Sequence, residues 1–156
     1  MIPKYRGVSI SDNNKGQWMY GNLIIDGNYA YIVNGVIECN DQYITIAEWC
    51  PVDPKTIGVS TGLFDANGKE IFEGDIFTYL DDDNDPIYEN IVVKFGQHTN
   101  MDTIFERKPV YIGLYAEVQK GTATLDVDIM YNDCEGRLTI VGNIYENPEL
   151  VEVNND

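Results

Sequence analysis

The chain has 156 residues, 44% of them apolar, and 26 acidic against 10 basic residues give it a formal charge of −16. This length and composition predict a folded chain with one ordinary core, or two small β modules that share a core, and exclude a disordered chain. Because a field of this sign repels phosphate backbones and anionic lipid, direct binding to nucleic acid or to a membrane is not expected.

The negative charge is unevenly distributed along the chain. Residues 1–60 contain six acidic and four basic residues, whereas residues 61–156 contain twenty and six. Carboxylates promote solubility, which is the ordinary reason for such a composition. They can also imitate a nucleic acid toward a basic groove of another protein, so the charge leaves both interpretations open.

The sequence predicts a soluble protein of the cytoplasm. It contains no stretch of about 18–20 apolar residues that could span a bilayer, and residues 1–6 lack the apolar run of a signal peptide. The three cysteines, Cys39, Cys50 and Cys134, are widely and irregularly spaced, unlike disulfide frameworks and zinc sites. We expect them to be reduced thiols that are buried or inert.

Residues 1–60 are predicted to form a β-meander. Apolar or aromatic runs at residues 18–25, 29–33 and 36–38 are separated by Asp26-Gly27-Asn28 and by Asn34-Gly35. Asp-Gly and Asn-Gly favour tight hairpin turns because these turns need positive φ angles. A fourth strand is expected at residues 43–47. Asp53-Pro54-Lys55-Thr56 then predicts one short helical turn, with Asp53 as its cap and Pro54 at the first position.

Residues 61–156 are predicted to form a small, partly open SH3-like barrel. The runs 76–80 and 91–95 should be antiparallel partners joined by an exposed acidic loop at residues 81–86. Further strands are expected at residues 110–118, 125–131 and 137–144, and residues 147–150 should form a brief terminal turn. The fold class is therefore mainly β with few short helical turns, and the two parts are expected to be integrated in one unit.

Three segments resemble the YopX family of phage and prophage proteins. They are the opening residues 2–7, the segment from Val52-Asp53-Pro54-Lys55-Thr56-Ile57-Gly58 to Gly74-Asp75-Ile76, and the closing Val141-Gly142-Asn143-Ile144-Tyr145-Glu146-Asn147-Pro148-Glu149-Leu150. The resemblance implies a small, self-associating β-rich protein encoded by a phage or prophage. It brings no catalytic residues with it. Residues 7–11 depart from the usual aromatic and acidic continuation of the family.

The residues singled out in these segments are expected to form a structural motif. They are turn glycines, local hydrogen-bonding side chains and a proline: Thr61, Gly62, Gly68, Glu73, Gly74, Asp75, Gly142, Asn143, Tyr145, Asn147 and Pro148. Neighbouring carboxylates such as Glu70, Glu73 and Asp75 can act as an acid and base pair when burial separates their pKa values. Here the adjacent glycines favour a backbone role.

Other candidate sites are weaker. Asp81, Asp83 and Asp85 have the alternating spacing that opens an EF-hand loop, but Pro86 stands where a glycine is needed and Val92 where a glutamate is needed. The single histidine, His98, is the one imidazole that could activate a cysteine nucleophile. Because it lies in the polar string of residues 96–100, an ordinary surface histidine is expected.

The aromatic residues of the first part could line a partner surface, but packing in the core is the default expectation. They are Tyr20, Tyr29, Tyr31, Tyr43 and Trp49.

The leading functional hypothesis is a phage- or prophage-encoded accessory protein of the bacterial cytoplasm that acts by protein binding. We expect a homo-oligomer whose sheet edges pair between subunits, with a host protein as a further possible partner. The alternative is an acidic nucleic-acid mimic that inhibits a host DNA-processing or defence protein. An enzyme is the weakest hypothesis, and no catalytic residue, cofactor or metal is predicted.

Overall fold

The computed structural model describes residues 2–99, 110–118, 123–135 and 137–152. The chain divides into two units, Met1–Ser60 and Thr61–Asp156. Strands dominate both units, so the predicted mainly β fold class is confirmed. No helix among the described residues has the length and apolar character that a membrane span requires.

The first unit is an antiparallel sheet in the order β4-β3-β2-β1-β5. Its strands are β1 (Tyr5–Val8), β2 (Trp18–Asp26), β3 (Tyr29–Cys39), β4 (Ile44–Val52) and the first residues of β5 (Gly58–Phe64). The tight turn predicted between β2 and β3 is confirmed, since Asp26 pairs with Tyr29 and Gly27 has a φ of 58°. The short 3₁₀ turn Pro54–Thr56 is confirmed too, with the carboxylate of Asp53 accepting from the Lys55 amide at 3.0 Å.

The core of the first unit is small. Ala30, Ile32 and Val52 are buried together, and partly buried side chains from β1, β2 and the chain after Thr56 pack against them. One reason is that many apolar side chains of β3 and β4 are exposed instead.

The turn predicted at Asn34-Gly35 is wrong, because β3 runs through these residues without interruption. Gly35 does adopt a positive φ of 72°, as the prediction required. The residue after it, Val36, is still paired with Ile46 of β4, and the register then shifts by one residue before Glu38. The glycine therefore lies beside a β-bulge in a long strand, which is the other common use of a left-handed residue in a sheet.

The second unit contains an open antiparallel sheet in the order β10-β9-β8-β7-β11. Its strands are β7 (Asp75–Leu80), β8 (Pro86–His98), β9 (Tyr111–Val118), β10 (Ala123–Asp126) and β11 (Leu138–Asn143), and the short strand β6 (Glu70–Phe72) precedes them. The predicted hairpin is confirmed, with Ile76 opposite Val92 and Phe77 opposite Ile91. The predicted closing strand is β11, which pairs with β7. No closed barrel is formed by the strands in the described part of the chain.

The predicted strand at residues 125–131 is wrong in its second half. Only its first residues belong to β10, and the helix α1 (Val127–Asp133) begins directly afterwards. Val127, Met130 and Cys134 are all buried, and their spacing of three and four residues is that of one helix face. Asp128 in the first turn favours the helix through its dipole.

The core of the second unit lies between one face of the sheet and α1. It contains eleven buried residues: Ile71, Phe77, Ile91, Val93, Ala116, Val118, Leu125, Val127, Met130, Cys134 and Leu138. Because this cluster is much larger than the one in the first unit, hydrophobic burial stabilises the second unit more strongly.

We expect the Phe77→Ala variant to lose about 3–5 kcal/mol of unfolding free energy, since it leaves a cavity where a fully buried ring packs. Urea denaturation followed by far-UV circular dichroism measures the loss. Phe95→Ala is the matched control: this ring is 58% exposed, and its removal should cost less than about 1 kcal/mol. Equal losses in the two variants would contradict the assignment of the core.

Candidate functional site

The residues of the expected structural motif meet where the turn before β7 lies beside the turn after β11. Gly74, with a φ of 91°, donates its amide to the Val93 carbonyl at 2.8 Å. Its carbonyl accepts from the Ile144 amide at 2.9 Å. One glycine thus connects β8 on one side with the end of β11 on the other.

The turn after β11 is organised by two asparagines. The side-chain oxygen of Asn143, a buried residue, accepts from the amides of Tyr145 and Glu146 at 3.0 and 2.9 Å. The side-chain oxygen of Asn147 accepts from the Asn143 amide at 3.3 Å. A Cβ at Gly142 would lie 2.3 Å from that same Asn147 oxygen, so only glycine fits there. Pro148 then begins the 3₁₀ turn Pro148–Leu150.

Two buried aspartates satisfy backbone amides in neighbouring turns. Asp75 accepts from the Phe72 amide at 2.8 Å across the turn that contains Glu73, a partly buried residue. Asp65 accepts from the amides of Asn67 and Lys69 at 2.9 and 2.8 Å, and its other oxygen accepts from the Ile140 amide of β11 at 3.1 Å. The sequence did not single out Asp65, although Asp-Ala-Asn-Gly is a turn signal in which the aspartate can bind amides.

The remaining motif residues belong to the strand and turn on either side of Asp65. The Thr61 hydroxyl donates to the Ile71 carbonyl at 2.8 Å and accepts from the Leu63 amide at 3.1 Å. Gly62 and Gly68 have φ values of 76° and 79°, which other residues adopt at a cost. The hydrogen bonds described above for Thr61, Asp65, Asp75, Asn143 and Asn147 go to backbone groups, which indicates a structural role.

The prediction of a surface position for His98 is wrong, because its ring is buried at the end of β8. It stacks on the Tyr115 ring with centroids 4.8 Å apart. Its Nε2 pairs with the Asp126 carboxylate, and its Nδ1 lies 3.3 Å from the Gly96 carbonyl. Both ring nitrogens thus face acceptors within the second unit, and this arrangement leaves neither directed at a thiol.

The three cysteines are free thiols. Cys50 and Cys134 are buried. The Cys50 sulfur lies 3.1 Å from the Ser9 hydroxyl, and the Cys134 sulfur lies 3.7 Å from the Met130 sulfur. Cys39 is exposed, so burial holds for two of the three cysteines and the inertness of the Cys39 thiol stays a prediction. No cluster of three His, Cys, Asp or Glu side chains that could hold a metal ion exists within the described ranges.

The acidic loop between β7 and β8 is closed by its own first residue. One carboxylate oxygen of Asp81 accepts from the amides of Asp83 and Asp85, each at 2.9 Å, and these hydrogen bonds stabilise the turn. Asp82 forms an ion pair with Arg137. Desolvation lowers the pKa of Arg137. The charge of Asp82, together with Tyr79 and Glu135, raises this pKa by more than desolvation lowers it, so the pKa of Arg137 lies above its ordinary value. The guanidinium therefore stays charged.

A second feature lies in the first unit. Residues 34–49, which we name the hairpin arm, comprise the second half of β3, the turn at residues 40–43 and the first part of β4. The pairing of β3 with β2 ends at Val33, so within the described chain the two arm strands pair only with each other. The Asn40 side chain closes the turn by accepting from the amides of Gln42 and Tyr43.

The hairpin arm exposes apolar side chains. The exposed fractions are 62% for Val36, 68% for Ile37, 50% for Tyr43, 55% for Ile44 and 65% for Trp49. The default expectation of core packing for the aromatic residues is therefore wrong for Tyr43 and Trp49, and also for Tyr20 and Tyr29, which are exposed. Tyr31 is half-buried and meets the Trp49 ring edge-on at 5.9 Å.

Sequence reasoning missed the hairpin arm because the turn expected at Asn34-Gly35 would have ended the strand there. The usable signal was the pair of β-prone runs at residues 36–39 and 43–49, joined by Asn40-Asp41-Gln42.

The fold and motif define a class: small, mainly β proteins of two units with side-chain-capped turns. The sequence matches the model of the YopX protein family over residues 4–152, so the chain belongs to the YopX family. A search of curated proteins found no significant match. Among solved structures, the chain is similar to protein EF1440 from Enterococcus faecalis, with 22% identity and a TM-score of 0.47. The similarity covers 97% of this chain and 99% of that one.

The geometry of Asp65 makes a prediction about stability. Asp65→Ala leaves three backbone amides without their acceptor, and we expect a loss of about 2–4 kcal/mol of unfolding free energy. Chemical denaturation of the variant measures it. Asp83→Ala removes the same charge from an exposed loop position and should change the stability by no more than about 0.5 kcal/mol. If both variants lost equal stability, net charge rather than amide binding would be the cause.

Proposed function

We propose that the protein is a phage- or prophage-encoded accessory protein that acts by protein binding, as a self-associated species in the cytoplasm of a bacterial host. The observation that carries this proposal is the exposed apolar surface of the hairpin arm. The membership of the YopX family and the mainly β fold are consistent with it.

The physical reason is the cost of leaving such a surface in water. A two-stranded ribbon is at best marginally stable alone, and several large apolar side chains exposed on one short element favour an interaction site there. Val36, Ile37 and Ile44 are more than half exposed, and Trp49 is the most exposed aromatic residue of the arm. Covering these side chains would stabilise the arm, and a protein partner supplies such cover.

The second candidate function is an acidic mimic of nucleic acid, favoured by the tip of the β7–β8 hairpin. Asp82, Asp83, Asp85 and Glu89 are exposed there within eight residues, and the side chain of Asp82 is 90% exposed. A basic groove of a host DNA-processing or defence protein would be the complementary surface.

Salt separates the two proposals. Two copies of a chain with a charge of −16 repel each other, so apolar self-association should persist or strengthen as salt screens the repulsion. A complex of the acidic chain with a basic partner should weaken instead, because its attraction is screened.

We expect light scattering coupled to size-exclusion chromatography to give a molar mass that is a multiple of 17.7 kDa, unchanged or increased between about 0.05 and 0.5 M salt. A monomer at all protein concentrations would refute self-association. Retention of a basic host protein, lost at about 0.5 M salt and lost in the triple variant Asp82→Asn, Asp83→Asn, Asp85→Asn, would instead support the mimic.

A further inference from the structure

We propose that the hairpin arm inserts into an apolar cleft of another protein whose walls carry arginine or lysine side chains, so that both faces of the arm are covered at once. This inference rests on the protein-binding part of the proposed function and specifies the partner that fits the arm.

The apolar side chains of the hairpin arm lie on both of its faces. Facing residues of two antiparallel strands lie on the same side of the ribbon, and residues two apart in one strand share a face. Val36 faces Ile46, and Ile44 lies two residues before Ile46, so these three side chains share the first face. Trp49 follows Ile46 by three residues and therefore belongs to the second face.

This two-sided exposure determines the shape of the partner. A flat surface, or one more strand added at an edge, would cover at most one of the two faces. Val36 and Ile44 on the first face and Trp49 on the second are all more than half exposed. Burial of these side chains on both faces requires contact from both sides, which is the geometry of a cleft.

The charges of the arm determine the chemistry of the partner. Residues 34–49 contain three acidic residues and no basic residue, whereas the other residues of the first unit contain three acidic and four basic residues. The three acidic residues of the arm, all exposed, are Glu38, Asp41 and Glu48. The negative charge of this unit is thus concentrated beside the exposed apolar side chains, and a complementary partner carries positive charge.

Each face combines a carboxylate with apolar side chains. Glu48 shares the first face with Ile46, because it lies two residues beyond it in β4. Glu38 faces Thr45, which places it on the second face. One oxygen of Glu38 accepts from the Tyr43 hydroxyl at 2.9 Å. A guanidinium can pair with a carboxylate and stack on an aromatic ring, so an arginine suits the place where Glu38 meets Tyr43.

A second copy fits this surface less well than a basic protein does. It would bring the same three carboxylates to the interface from a chain with a charge of −16, and like charges that face each other are unfavourable. A basic cleft is attracted by the same carboxylates, which also accelerate its encounter with the arm.

Photo-crosslinking from two adjacent positions tests the cleft. Ile44 and Thr45 are exposed neighbours in β4 and lie on opposite faces. We expect variants that carry the photo-reactive residue benzoylphenylalanine in place of Ile44 or of Thr45, irradiated in the bacterial host, to form adducts with the same basic protein. The same replacement of Tyr29, an exposed residue outside the arm, is the control and should not form this adduct.

Two charge-matched variants test the carboxylates, since each removes three negative charges. The arm variant is Glu38→Gln, Asp41→Asn and Glu48→Gln. The tip variant, at the β7–β8 hairpin, is Asp82→Asn, Asp83→Asn and Asp85→Asn. We expect the arm variant to lower the yield of the adduct about tenfold, the factor that a few exposed ion pairs together supply. The tip variant should leave the yield unchanged.

The outcomes separate this inference from the proposed function. A monomeric chain that forms no adduct refutes both, whereas self-association in light scattering without an adduct from the arm refutes this inference alone. An adduct with a second copy, at twice 17.7 kDa, refutes the basic partner and assigns the arm to self-association. Adducts from one face only refute the cleft. An arm variant that forms the adduct as the natural chain does refutes the role of the carboxylates in binding.

Discussion

The three hydrogen bonds that Asp65 accepts determine how the edge of the second sheet is completed. One carboxylate oxygen holds the amides of its own turn, and the other reaches the Ile140 amide of β11, a strand far away in the sequence. The Ala66 amide adds a bond to the Leu138 carbonyl at 2.8 Å. Since a buried amide without an acceptor is costly, this loop and β11 stabilise each other, and β11 in turn places Asn143 beside Gly74.

The acidic character of the chain therefore has two components. Asp53, Asp65, Asp75 and Asp81 accept hydrogen bonds from backbone amides in turns, so they act as local structural residues. A second set lies on the surface, as at the β7–β8 tip, where Asp82 forms an ion pair with Arg137. The total charge alone does not distinguish these components, because an acceptor in a turn and an exposed carboxylate count equally in it.

The sequence correctly predicted the turns and the hairpin whose formation depends on residues that are neighbours in the chain. The tight turn at Gly27, the Asp53-Pro54 turn and the hairpin of β7 with β8 each follow from residues that lie next to one another. The errors arose where two structures share a signal. Asn34-Gly35 suits a turn and a bulge alike, and the run from Leu125 suits a strand until the helical spacing of Val127, Met130 and Cys134 is considered. The burial of His98 and the reach of Asp65 to β11 depend on strand pairing, which no short segment encodes.

The bulge in β3 makes the two outer edges of the hairpin arm unequal. A two-stranded ribbon with two regular, exposed edges can pair with further strands on both sides, which favours open-ended aggregation. In the hairpin arm the extra residue lies in β3 only, so the two edges are not equivalent. The extra residue in β3 therefore protects one edge of the arm from further strand pairing, while the other edge has no such irregularity between residues 44 and 50.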